Sequence, residues 1–143
     1  MGLFKRLLKM PRSPIRSEVP VSEVLRARLE RIDRAGNVDG RHYTTYVDEI
    51  KVLKRERRFE EAETLLMQIV DATEREARLG SGGVAPAYYL DLAIIYRKQG
   101  RTADEIAILE RYAAQTHAAG VMPEKLLERL RKLKVKSGGP SES

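Results

Sequence analysis

The sequence predicts an all-α fold, and three observations carry this. Apolar residues recur at helical spacing in successive blocks between residues 22 and 136. Glycine and proline fall between those blocks rather than inside them. No segment alternates apolar and polar residues for long enough to make a strand. The 143 residues suit one domain with some tail. At that length folding hides roughly two-thirds of the unfolded surface, so a real core is possible.

Residues 1–20 read as a basic, mobile arm. Leu3, Phe4, Leu7 and Leu8 make a short amphipathic start, and Pro11, Pro14 and Pro20 punctuate the rest of the arm. About two turns is too short for a stable isolated helix. Ser22 is a good N-cap for a helix to about Ala35, closed by Gly36, with Val21, Leu25, Leu29 and Ile32 as its stripe. Asn37 to Gly40 is a turn. Tyr46, Val47, Ile50 and Leu53 give a second helix to about Arg57. Phe59, Ala62, Leu65, Leu66, Ile69, Val70 and Thr73 line one face of a third, which runs to about Leu79 and is ended by Gly80-Ser81-Gly82-Gly83. Pro86 opens a fourth with Tyr89, Leu92, Ala93, Ile95 and Tyr96, stopping at Gly100. Thr102 and Glu105 have capping-box spacing and predict a helix ending near Gly120, with Ile106, Leu109 and Tyr112 inward. Pro123 opens the last helix, with Leu126, Leu127, Leu130 and Leu133 inward and cations at its far end, where the helix dipole favours them. Residues 137–143 read as a disordered tail.

Composition excludes several function classes. The chain has no cysteine, so disulfides, thiolate metal sites and cysteine nucleophiles are out. His42 and His117 stand far apart, neither in a metal-ligand spacing, so no metal or other cofactor is expected. No phosphate-binding glycine loop, zinc-protease helix or nucleophile elbow occurs, and Gly80-Ser81-Gly82-Gly83 follows a helix instead of a strand. The expectation is a protein that is not an enzyme. No apolar run approaches the roughly 20 residues of a membrane span, and Lys5, Arg6 and Lys9 break any signal-peptide core. A cytoplasmic location is expected.

The net charge is +6, and it is unevenly spread. Residues 1–16 carry Lys5, Arg6, Lys9, Arg12 and Arg16 with no acid. Residues 121–143 carry six bases against three acids, which leaves the middle slightly acidic. These ends offer an alternative function, an accessory protein on nucleic acid or an anionic membrane. Weak contact of that kind would run through residues 1–16. No base-reading helix or aromatic-interleaved basic stripe accompanies them.

Two helix pairs can be laid over each other. In one, Tyr46, Leu53, Arg58-Phe59-Glu60-Glu61-Ala62, Leu66 and Ile69 come in order. In the other, Tyr89, Leu92, Ala93, Tyr96, Gly100, Glu105, Leu109 and Tyr112 do. This pattern resembles the tetratricopeptide repeat, in which a small residue lets two antiparallel helices approach and an aromatic fills the adjacent hole. The two units are offset by 43 residues where the family uses 34, and Glu105 stands where Ala62 supplies a small residue in the first unit. The resemblance implies antiparallel helix pairs in an α–α superhelix over 21–136, with capping helices at 22–35 and 123–136. Two repeats are too few to bury a solenoid face, so a homodimer would serve if the first cap does not dock.

The resemblance further implies a scaffold that binds a protein or peptide in a groove lined by the first helix of each pair. That lining would comprise Val47, Lys51, Lys54, Arg55, Leu90, Ile94, Arg97 and Lys98. Its cations would favour an acidic ligand or a C-terminal carboxylate, through charge-assisted hydrogen bonds. The plainer reading of Lys51, Lys54, Arg55, Arg97 and Lys98 is that they are solvated residues near helix C-termini.

Overall fold

Turns with positive φ, at Asp39-Gly40, Arg57, Gly80, Gly82, Gly83 and Gly100, separate most of the elements, and the helices that begin at Val47, Phe59, Pro86 and Thr102 start without a side-chain cap. The structure, a computed structural model, describes the backbone of residues 20–142 and the side chains of residues 20–136. The basic arm, Pro20 excepted, and the side chains of the expected tail lie outside the described residues. The chain divides into two units, Met1–Arg31 and Ile32–Ser143.

Helix α1 spans Val21–Ala35. The Pro20 carbonyl accepts the Glu23 and Val24 N–H groups at 3.0 and 3.2 Å, so the helix starts one residue before the expected Ser22 cap. No residue of α1 is buried. The turn expected at 37–40 is a small hairpin: β1 (Asn37–Val38) pairs antiparallel with β2 (Arg41–His42). Asp39 and Gly40 both have positive φ, 49° and 81°, the requirement of a two-residue type I′ turn. These four strand residues correct the expectation of no strand. Two-residue strands are too short to leave a periodicity.

A 3-10 turn, Tyr43–Tyr46, leads into α2 (Val47–Arg55). Arg57, at φ 59°, turns the chain into α3 (Phe59–Arg78). Next come α4 (Pro86–Lys98), α5 (Thr102–Ala113) and α6 (Val121–Glu142). Helix accounts for 76% of the structure, so the protein is all-α in class.

Two expectations about α5 fail. Its N-cap position is Arg101, with no side-chain cap, and the Thr102–Glu105 capping box does not form. Glu105 instead points inward, 2% exposed, and takes Arg129 Nε at 2.8 Å. A charge-assisted bond inside the fold outweighs a solvated cap. The helix also stops at Ala113, short of Gly120. Residues beyond it fold back: the Val84 N–H donates to the Thr116 carbonyl at 3.0 Å, and His117 stacks on Tyr112 with ring centroids 4.3 Å apart. Gly83, at φ 135°, makes this possible, because a Cβ there would lie 2.9 Å from the Thr116 oxygen. The glycine loop is therefore a packing surface as well as a linker.

The core lies between consecutive helices. The most extensive interface is α4 with α5, and α3 packs on both α2 and α4. Helix α6 packs on α5 and also on α4. Ala62 and Ala93 are fully buried, among Leu66, Ile69, Leu92 and Leu109. All six tyrosines are buried, so they act as packing residues. Buried hydroxyls need partners. Tyr46 donates to the Val38 carbonyl, Tyr89 to Glu74 Oε2 and Tyr96 to Glu63 Oε2.

Candidate functional site

The inner face of α4 is Tyr88, Tyr89, Leu92, Ala93, Ile95 and Tyr96. Helical spacing then places Leu90, Asp91, Ile94, Arg97 and Lys98 on its outer side. Leu90 and Ile94 are half-buried there, while Arg97 and Lys98 are exposed. On α2, Ile50 is the buried residue, Val47, Lys51 and Arg55 are exposed, and Lys54 is half-buried.

The two helices are joined at this face. Lys54 Nζ lies 2.9 Å from Asp91 Oδ1. Lys54 is thus already paired, and its part in the expected groove is to tie α2 to α4. Lys51, Arg55, Arg97 and Lys98 have no ion-pair partner among the described residues. These four cations share α2 and α4 with the exposed Val47 and the half-buried Leu90 and Ile94. Asp91 was not legible as part of this face, because the family pattern assigns it no role. A separate pocket of about 340 Å³ is lined by Asp48, Glu49, Val52, Leu53 and Arg58, none of them an expected groove residue.

Elsewhere, carboxylates of α3 are matched to cations of α5 and of the turn before it. Arg111 of α5 reaches Glu74 of α3 through Nε at 2.8 Å and Asp71 through Nη2 at 2.6 Å. Glu63 of α3 accepts from Arg101 at 2.8 Å and from Tyr96 at 2.9 Å. The Arg101 hydrogen bond holds the Glu63 carboxyl below its usual range. Burial, together with the bond to Glu63, pushes the Tyr96 phenol up to about 12. Burial likewise raises the Tyr89 phenol, reinforced by Glu74. These groups join helices, and each has its polar partner inside the fold.

One further cluster was invisible to sequence spacing. His42 of β2, Glu76 of α3 and Asp33 at the end of α1 bring their polar atoms together within 4.8 Å. His42 Nε2 is 2.6 Å from Glu76 Oε2 and 3.6 Å from Asp33 Oδ1. Tyr43 donates to the other Glu76 oxygen at 3.2 Å, and His42 Nδ1 sits 2.9 Å from Thr44 Oγ1. A Cβ on Gly36 would lie 2.6 Å from Glu76 Oε2 and 2.7 Å from His42 Nε2, so any other residue there would push these two side-chain ends from their present positions. The three groups are separated by 9 and 34 residues, and no helical or loop motif joins them.

Comparison with known proteins gives no match to a protein-family model, a curated protein or a solved structure.

Proposed function

We propose that this chain is a non-catalytic interaction module, which holds an acidic, extended segment of a protein partner on the face shared by α2 and α4. The observation that carries the reading is that Lys51, Arg55, Arg97 and Lys98, unpaired among the described residues, lie on the same two helices as Val47, Leu90 and Ile94, which are not fully buried. An apolar centre with a cationic rim suits a peptide with one apolar anchor and flanking acids. The rim charges set association rate and salt sensitivity, and the anchor sets dissociation.

We read α2–α3 and α4–α5 as two tetratricopeptide-like units with α6 as a cap. Supporting this are the buried small residues Ala62 and Ala93, the packing of successive helices on one another and the Lys54–Asp91 tie between the first helices of the two pairs. Among the described residues no helix is long and apolar enough to cross a membrane, which is compatible with a scaffold working in the cytoplasm.

Selection from displayed peptide libraries tests the reading. The full chain is expected to enrich peptides with acidic residues flanking one large apolar residue. Their affinity should fall as salt rises, since exposed charge pairs are screened over about 10 Å at 0.1 M ionic strength. Enrichment of basic peptides, or of none, would oppose the proposal.

A further inference from the structure

We propose that Asp33, His42 and Glu76 bind a divalent transition-metal ion, with zinc the ion their donor set fits best. One imidazole nitrogen and two carboxylate oxygens converge from three elements. An imidazole donor favours zinc and its neighbours over magnesium or calcium, which prefer all-oxygen sets. Three protein ligands with a fourth position left to water is a common zinc arrangement. Asp33 is exposed, so an ion has a route in from solvent.

The surroundings resemble those that orient metal ligands. A ligating histidine usually has its other nitrogen fixed by a hydrogen bond, and a ligating carboxylate has its spare oxygen held. His42 Nδ1 has Thr44 Oγ1 at 2.9 Å, and the spare Glu76 oxygen has the Tyr43 hydroxyl at 3.2 Å. Gly36 contributes space: any side chain there would occupy the point where the Glu76 and His42 donor atoms meet.

Distances are close to those required. Two ligand atoms bound tetrahedrally at about 2.0–2.1 Å stand roughly 3.3 Å apart. The His42–Asp33 separation of 3.6 Å already suits this, and the His42–Glu76 separation of 2.6 Å must open slightly. The Thr44 N–H donates to Nδ1 at 3.4 Å, which leaves the proton on Nε2, facing Glu76. Binding needs the other tautomer: the ring proton passes through water from Nε2 to Nδ1, no proton is lost overall, and the freed Nε2 lone pair takes the metal. Nδ1–H then donates to Thr44 Oγ1 in place of accepting from the Thr44 N–H. The bound ion would fasten the end of α1 and the β1–β2 hairpin to α3.

Cobalt(II) titration of the full, tag-free chain tests this, with magnesium as the control. The expected result is one visible d–d band of a four-coordinate site, saturating at one ion per chain and abolished by added zinc. Asp33→Asn, at an exposed position, should leave the helical circular dichroism intact and weaken binding at least tenfold. His42→Ala should abolish the band. Absence of a band, or a band with unchanged affinity in Asp33→Asn, overturns the proposal and leaves the cluster as a hydrogen-bonded latch.

Discussion

Lys54 of α2 reaches across to Asp91 of α4, Nζ to Oδ1, at 2.9 Å, and this pair links the first helices of the two helical hairpins. Both side chains are partly exposed, so the bond positions more than it stabilises. Exposed or half-exposed pairs contribute about 0.2–1 kcal/mol. A double-mutant cycle with Lys54→Ala and Asp91→Ala should return a coupling within that range in urea melts. Under the proposed peptide-binding role, the same substitutions should change peptide binding by more than their stability effect suggests, because the tie between α2 and α4 is lost.

The two buried alanines set the approach of the helices. Ala62→Leu and Ala93→Leu should each cost about 1–3 kcal/mol, since extra methylenes at fully packed positions force the helices apart. Equilibrium unfolding is the check. An unchanged midpoint in both variants would mean that neither alanine sits at a helix crossing.

Glu105 and Arg129 should respond unequally to removal. Glu105 is 2% exposed, and taking away its partner leaves a buried charge uncompensated. Arg129→Met should therefore cost about 3–5 kcal/mol. Glu105→Met should cost distinctly less, because the Arg129 side chain is 23% exposed and long enough to turn its head to water. Equal losses in the two variants would contradict this account of the pair.

Stability should fall at both extremes of pH, for separate reasons. The Glu63 carboxyl has a lowered folded pKa, because Arg101 favours its charged form. Its contribution is complete above the ordinary value of 4.5 and is lost as the pH falls through the folded value. Tyr96 has a raised folded pKa, so its contribution is complete below 10 and is lost between 10 and about 12. Glu63→Gln should flatten the acid limb of a stability–pH curve. Absorbance titration should show Tyr96 ionising only as the chain unfolds.

The helices were legible because burial repeats at their period. Leu66, Ile69, Val70 and Thr73 form a stripe that any helical reading finds, and all four are buried. The Asp39-Gly40 turn was legible from residue type, though the strands flanking it were not. Glu105 misled because one residue can serve two partners. A cap at Thr102 is local and visible in sequence, whereas Arg129 lies 24 residues away. For the same reason, the groove residues could be placed on their helices but Lys54 could not be assigned its partner. The His42 cluster was hidden entirely, since its members meet only once the hairpin closes against α3.

Affinity of the full chain for a selected acidic peptide, compared with that of Lys51→Glu/Arg97→Glu, tests the groove most directly. Both residues are exposed and unpaired among the described residues, so the double reversal should leave the unfolding midpoint unchanged. Binding measured by fluorescence anisotropy should weaken at least tenfold at low salt, with the difference shrinking as salt screens the rim. Equal affinity of the two proteins for the same peptide, at low salt and with both folded, would contradict the proposal that this face holds the partner.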